Sequence, residues 1–392
     1  MTTRGKRAVR ITLALLLALV VLLGVSTCAL PRPGIPDVAA VPADARTVTV
    51  VASDRYRAGP VHRFWMGGGY RDVWAAPVRV EVLDLRRSGG GLVPLRRSGG
   101  RQTRGLRLRG GDGHVYVFRS VDKDPAGALG GVERVLMGRV RQDQVGALHP
   151  AAALVAGGLQ DAAGIPNAPA RLAVMPGAGL GPFRADFDGL LGTIQEYPGK
   201  GFAGIPRVLD TEELWPELRR VRTDRVDARA YLAARLMDVY LGDWDRHEGQ
   251  LVWGRVERGG RGEWVVIPRD RDYAFSDYRG VIPGLARRVD AKIVRFDREY
   301  RDLKGLLVKA RPLDRRLLCA LAPAAWDSAA AALSAALTDS AITASIARMP
   351  REYVARSAPL AATLRARRDA LPSAARRFRQ HLHASGGCTA RQ

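Results

Sequence analysis

The sequence predicts an α+β chain in two lobes, a strand-rich half followed by a helical half, on three observations. Short apolar segments separated by Gly pairs fill residues 78–119. Helical periodicity dominates from Asp227 onward. Between these patterns and the C-terminus lies one hairpin, residues 242–275, with acid-bearing loops at both of its ends. The roughly 360 residues beyond the leader are enough for two lobes with cores of their own, and no internal repeat is visible.

The leader, residues 1–30, sets Arg4, Lys6, Arg7 and Arg10 ahead of an uncharged apolar run from Ile11 to Leu23. That is the pattern of an export signal. The run continues through Gly24-Val25-Ser26-Thr27-Cys28, which resembles a bacterial lipoprotein cleavage box with Cys28 as the lipid acceptor and Thr27 as an imperfect fit. The stretch from Ile11 to Leu30 is also long enough to span a bilayer. A lipoprotein, an uncleaved membrane anchor and a freely secreted chain therefore stay open, and all three put the body outside the cytoplasm, in the cell envelope for the first two. Residues 31–77 read as a tether and N-terminal extension, rich in Pro, Ala and Asp near the start.

Cys319 and Cys388 are too few for a disulfide framework, so the core is expected to come from packing. The net charge of +23 falls to +19 without the four leader cations. Such a balance admits phosphate-rich or anionic-membrane partners. Arg far outnumbers Lys along the whole chain, and no basic stretch is interleaved with aromatics, so a nucleic-acid partner is not expected.

In the first lobe, residues 78–200, strands are expected at 78–83, 91–95, 106–109 and 115–118 in an antiparallel sheet, with Gly110–Gly113 as a tight turn. A helical stretch over about 131–159 follows, then strands at 170–175 and 190–196. The second lobe, residues 201–392, opens its helical part at Asp227, an N-cap for a helix carrying Leu232, Leu236, Val239 and Tyr240 on one face. Residues 300–383 are helical in composition apart from Pro breaks.

The chemistry concentrates in Gly242-Asp-Trp-Asp-Arg-His-Glu-Gly-Gln250, a strand, a Gly-rich turn at 259–262, a second strand, and Pro268-Arg-Asp-Arg-Asp-Tyr-Ala-Phe275. A hairpin of this form brings Asp245 close to Asp270 and Asp272. Phosphoryl transfer uses such a set, one Asp for the acceptor's proton and further oxygens for a metal on the phosphates.

Gly242-Asp-Trp-Asp-Arg-His247 resembles the Gly-Asn-x-Asp-Arg-His catalytic loop of atypical kinases, a group including HipA-like kinases, secretory-pathway kinases and phosphatidylinositol kinases. Asp270-Arg-Asp-Tyr-Ala-Phe275 is similar to the Asp-Asn-Gly-x-x-Phe metal loop of secretory kinases, with Asp272 where that pattern has Gly. The resemblance covers about residues 78–280 and implies a two-lobed protein-kinase-like fold and a Mg²⁺- or Mn²⁺-dependent transfer from ATP. It implies Asp245, Arg246 and His247 as the catalytic loop, and Asp270 and Gln250 as metal ligands, with Asp272 a second acid beside them. Gln250 stands five residues after Asp245, where protein kinases carry Asn. By the same resemblance Gly99 and Gly100, in Ser98-Gly-Gly-Arg-Gln-Thr103, would cover the phosphates, and Lys123 or Arg119 would contact them. Glu133 or Asp143 would orient that base, and Glu196 would sit on the strand leading to the adenine.

The acceptor, whether protein, lipid or glycan, is not legible. Because an exported body meets little ATP, two other readings stay beside the kinase: a catalytically inactive kinase-fold binding protein of the envelope, and a metal-dependent phosphoesterase. For the Asp245 and Asp270 clusters the plain alternative is a set of surface turns with local ion pairs. Trp244, Trp253 and Trp264 are expected to pack the hairpin against helices, and His149, His381 and His383 to be solvated.

Overall fold

A computed structural model describes residues 12, 30–42, 44–100, 102–384 and 388. Most of the leader, including Cys28, lies outside the described residues. Among those described, no single helix is long and apolar enough to cross a membrane.

Strand alternation builds the first sheet. β1 (Thr47–Val51) pairs antiparallel with β2 (Pro77–Glu81), whose Val78 and Val80 point inward. β3 (Leu92–Ser98), β4 (Gly105–Gly110), β5 (Val115–Ser120), β6 (Arg171–Val174) and β7 (Leu191–Glu196) form a separate five-stranded sheet in the order β3-β4-β5-β7-β6. All its pairings are antiparallel. One face of this sheet buries Leu106, Leu108, Phe118 and Ile194 against Phe187 and Met175, a small core of its own. The 78–83 segment thus leaves the sheet it was expected to join and adjoins its β6 edge, through a bridge from Val82 to Val174 and a bond from Leu83 N to Val174 O (2.9 Å).

A third sheet, of four strands, takes the order β8-β10-β11-β9, from β8 (Arg207–Asp210), β9 (Arg225–Val226), β10 (Leu251–Arg258) and β11 (Arg261–Pro268). β10 and β11 are the hairpin expected from sequence, registered from Leu251–Pro268 to Arg258–Arg261. Its turn is Gly259-Gly260, both at positive φ (57° and 74°). Two successive left-handed residues match the twist of a hairpin, and Gly takes that conformation without a Cβ penalty. Trp253 and Trp264 are fully buried, as their place on the inner face of the hairpin requires.

The larger core is continuous across the chain. It joins Tyr56, Val73 and Trp74 to Val155 and Leu159 of the Ala152–Ala162 helix, to the Ala228–Leu241 helix, and to the C-terminal helices. Four expectations change here. Residues 31–77 are more than a tether, since 47–51 form a strand and Tyr56, Val73 and Trp74 are core residues. The lobe boundary near 200 does not divide the cores, because the Ala152–Ala162 helix packs with the C-terminal Asp339–Ile346 helix. The 131–159 helix is two helices, Gly131–Asp143 and Ala152–Ala162; Pro150 bars a continuous one by keeping the residue before it out of helical conformation. His149, expected in solvent, is 3 % exposed, accepting from Ala151 N at 3.1 Å and bonded to Ser357 Oγ at 3.0 Å.

Cys319 and Cys388 form a disulfide with Cα atoms 5.3 Å apart. It is one staple across the C-terminal helices rather than a framework.

Candidate active site

The Ala228–Leu241 helix delivers the first acidic loop. Asp227 caps it, accepting from Arg229 N (3.1 Å) and Ala230 N (2.9 Å). Gly242, at φ 66°, ends it in the left-handed region, where a Cβ would lie 2.8 Å from the Phe296 ring. Only Gly serves both demands, and the chain turns sharply into Asp243-Trp-Asp-Arg-His247.

Side-chain and backbone contacts hold this loop to the one after β11. Arg246, 1 % exposed, donates to the carbonyls of Arg269 and Asp270 (2.8 Å each) and of Gln250 (3.2 Å). Arg271 pairs with Asp243 at 3.2 Å. The Trp244 and Tyr273 rings meet edge to face, 4.8 Å between centroids. Arg269 N donates to Gln250 O (2.8 Å), and Gln250 Nε2 to Asp270 Oδ2 (3.4 Å). The hairpin therefore brings Gln250 to Asp270 and ties the loop that carries Asp245 to the loop that carries Asp270.

Beneath the loops lies a buried ion-pair chain that was not anticipated. Asp314 pairs with Arg235 (2.8 Å), Arg235 with Asp238 (2.6 Å), and Asp238 with both Arg271 and Arg246, the latter at 3.4 Å. With Asp243 the chain holds three cations and three carboxylates, each about 1 % exposed except Arg271 at 5 %. Matched charge with hydrogen-bonded geometry is what makes such burial tolerable. Burial drives the Asp238 carboxyl upward, but Arg271, Arg246 and Arg235 outweigh it and hold the group below its ordinary value. At Asp243 burial prevails over Arg246 and Arg271, and the carboxyl is raised.

The five-stranded sheet supplies the cations. Arg119, on β5, pairs with Asp270, and Lys123, just beyond β5, pairs with Asp272 and lies 4.0 Å from the Tyr273 ring centre. Both sequence candidates thus meet the second loop, one on each acid. Asp270 sits at φ 56° and Phe275 at φ 62°. For a bulky residue that is a rarely populated conformation, retained where its surroundings over-determine it. Phe275 is pinned by a bond from its N to Leu241 O (2.7 Å) and by one from Tyr70 Oη to its carbonyl (2.9 Å).

The two acids titrate as a pair with opposite biases. Burial lifts Asp270, but the Arg119 and Lys123 charges overcome it and keep the group ionised well below the usual carboxylate range. Burial and the neighbouring Asp270 charge push Asp272 up to about 7, against the opposing pull of Lys123. One stays charged and the other sits near neutrality, a separation typical of acids with different tasks.

The remaining candidates fall in several places. Gly99, at φ 103°, shapes the β3–β4 turn; Gly100 faces open space. That turn reaches the site through Gln102, whose Oε1 accepts from Tyr273 Oη at 2.8 Å. Glu196 pairs with His114 (2.7 Å), while Thr193 and Gln195, on the alternate face of β7, line the cavity beside Arg119. Glu133 is exposed against Arg141, and Asp143 is buried against Arg71 (2.6 Å) and His62 (2.8 Å), so neither is the partner of Arg119 or Lys123 expected of it. His247 accepts from Gly249 N (3.2 Å) and stabilises the loop. Asp245 pairs with Lys309, a residue that sequence reasoning passed over. Its one visible signal is that it is among only six lysines in an Arg-dominated chain.

The cavity bounded by Arg119, Lys123, Thr193, Gln195, Asp270 and Asp272 is about 40 Å³, space for roughly one water, with His149 and Trp74 closing its inner side.

No protein-family model and no curated protein matches the chain. Two solved structures align with it over long stretches. The Helicobacter pylori proinflammatory kinase CtkA shares 13% identity at a TM-score of 0.39, covering 74% of this chain and 96% of that one. HipA, in the HipA, HipB and operator DNA complex of the Shewanella oneidensis MR-1 toxin–antitoxin system, shares 12% at 0.35, covering 88% of this chain and 76% of that one. Similarity at this level leaves the case to the chain's own residues.

Proposed function

We propose that the chain is a kinase-like phosphotransferase of the cell envelope, moving the γ-phosphoryl group of ATP to a protein, lipid or glycan acceptor with Mg²⁺ or Mn²⁺. The observation that carries this reading is the meeting of Arg119 on β5 and Lys123 just after it with two acids from the loop after β11, beside the loop that bears Asp245. Cations for phosphates, acids for metal and a separate acid for the acceptor are the parts that phosphoryl transfer requires.

The donor set fits a hard divalent cation. Asp270, Asp272 and the Gln250 side-chain carbonyl would offer oxygen only, the preference of Mg²⁺, and the described residues hold no cluster of three acidic, His or Cys ligands. Mg²⁺ is commonly held by one or two carboxylates plus substrate phosphates, so a short protein ligand set is consistent with a nucleotide-carried metal. Gln250 would present its oxygen once the amide turns over, which exchanges its donor toward Asp270 for an acceptor. When bound, the metal would neutralise charge on the phosphates. Arg119 and Lys123 would leave their acids for the phosphate oxygens, and Asp245 would orient the acceptor's hydroxyl and receive its proton. Because those ion pairs fill most of the cleft, nucleotide entry entails opening them and parting β5 from the loop after β11.

The Cys319–Cys388 disulfide supports an oxidising compartment, in keeping with the leader. The closed ion pairs and Gln250 in place of Asn favour one second reading, a kinase-fold binding protein without turnover. The test is a thermal shift of the full chain with ATP and Mg²⁺ or Mn²⁺ beside Asp270→Ala, followed by an ATP-consumption assay. A metal-dependent rise in midpoint, about 2.7 kcal/mol of stabilisation at a hundredfold excess over Kd, should vanish in the variant. Binding without consumption would select the second reading, and no rise at all would end both.

A further inference from the structure

Away from the cleft, the helical half holds a second concavity of about 300 Å³, lined by Lys304, Leu307, Arg311, Arg315, Phe378 and Leu382 with Asp314 at its base. Its composition is bipartite. Leu307, Phe378 and Leu382 are buried and present an apolar wall, whereas Lys304 and Arg311 are exposed at the rim. Asp314 does not cancel the rim's charge, because both of its oxygens are taken by Arg235 (2.8 and 3.2 Å) and Tyr231 Oη donates to one of them (2.8 Å). A concave site of this volume, apolar within and carrying a few convergent charges, has the build of a small-ligand pocket. His381 adds a further polar group at the same edge. The Cys319–Cys388 disulfide closes nearby, with Cys388 Sγ 3.7 Å from the carbonyl of Leu382, so the end of the Ala358–Ala384 helix that forms one wall is tied back to the Arg311–Leu318 helix that forms another.

We propose that this pocket binds an anionic amphiphile, a phosphate-bearing group held by Lys304, Arg311 and Arg315 with a short apolar portion against Leu307, Phe378 and Leu382. Two sources share that chemistry, the headgroup region of an anionic phospholipid and a soluble organic phosphate. The site is independent of the phosphotransfer reading, since none of its lining residues is among those proposed to hold nucleotide, metal or acceptor.

The experiment is isothermal titration of the full chain with dihexanoyl phosphatidylglycerol below its micellar concentration, with glycerol 3-phosphate, and with dihexanoyl phosphatidylcholine. The same titrations are run on Lys304→Ala/Arg311→Ala, whose exposed positions leave the core intact and whose thermal midpoint is checked against wild type. The expected result is saturable binding of phosphatidylglycerol, weakened at least tenfold in the double variant. Stronger binding of phosphatidylglycerol than of glycerol phosphate assigns the site to lipid, and equal binding assigns it to the soluble phosphate. Binding of neither anion, equal binding of phosphatidylcholine, or an unchanged double variant would overturn the proposal.

Discussion

Replacing Arg246 by Met should destabilise the protein by about 3–5 kcal/mol, the usual cost of breaking a buried ion pair by removing one partner. The size follows from what the side chain does. The buried chain of Arg235, Arg246 and Arg271 with Asp238, Asp243 and Asp314 is balanced at three charges of each sign, and the variant would leave one carboxylate in excess. Three carbonyls, of Gln250, Arg269 and Asp270, would also lose the donor they share. The loss has a pH signature. Asp243 is already raised by burial, with Arg246 its strongest opposing charge, so removing Arg246 raises it further. A carboxyl raised in the folded state binds more protons there than in the unfolded chain, so its contribution worsens as pH climbs through the folded value. The deficit of the variant should be smaller at pH 5 than at pH 8. Urea unfolding of both proteins at the two pH values measures it, and a deficit below about 1 kcal/mol, or one that does not change with pH, would refute the account of Arg246 as a buried counter-charge.

Three further outcomes are expected. Asp272, raised to about 7, should make the protein lose stability as pH rises from about 4 to 7, and Asp272→Asn should flatten that slope in thermal melts across the range; Asp270, held low, contributes in the opposite sense only below about pH 4. Lys309→Met, which strips Asp245 of its cation, should lower turnover at least tenfold while the metal–nucleotide thermal shift persists, and loss of both together would place Lys309 in folding rather than at the acceptor. Cys319→Ser should cost about 4 kcal/mol by the loop-entropy relation for a bridge spanning 69 residues, read as a drop in urea midpoint that dithiothreitol reproduces in the wild type.

What the sequence determined alone was local. The Gly-Gly turn between two alternating apolar runs dictates the β10–β11 hairpin and its register, and that hairpin dictates that its two flanking loops meet. Asp227 and Gly242 mark the helix that precedes it, because an N-cap acceptor and a left-handed C-cap are properties of single residues. Tertiary structure decided which partners those loops acquire. Arg119 and Lys123 reach Asp270 and Asp272 across about 150 residues of chain, Lys309 reaches Asp245 across 64, and the Arg235–Asp238–Arg271 chain joins a helix to a loop. Apart from the i,i+3 pair Arg235–Asp238, none of these pairings has a sequence period, since in a chain so rich in Arg almost any carboxylate has cations near it in sequence, and burial selects among them. The same holds for His149, Tyr56, Val73 and Trp74: they stand in polar, irregular stretches that look like surface, and only the closing of the large core takes these four out of water.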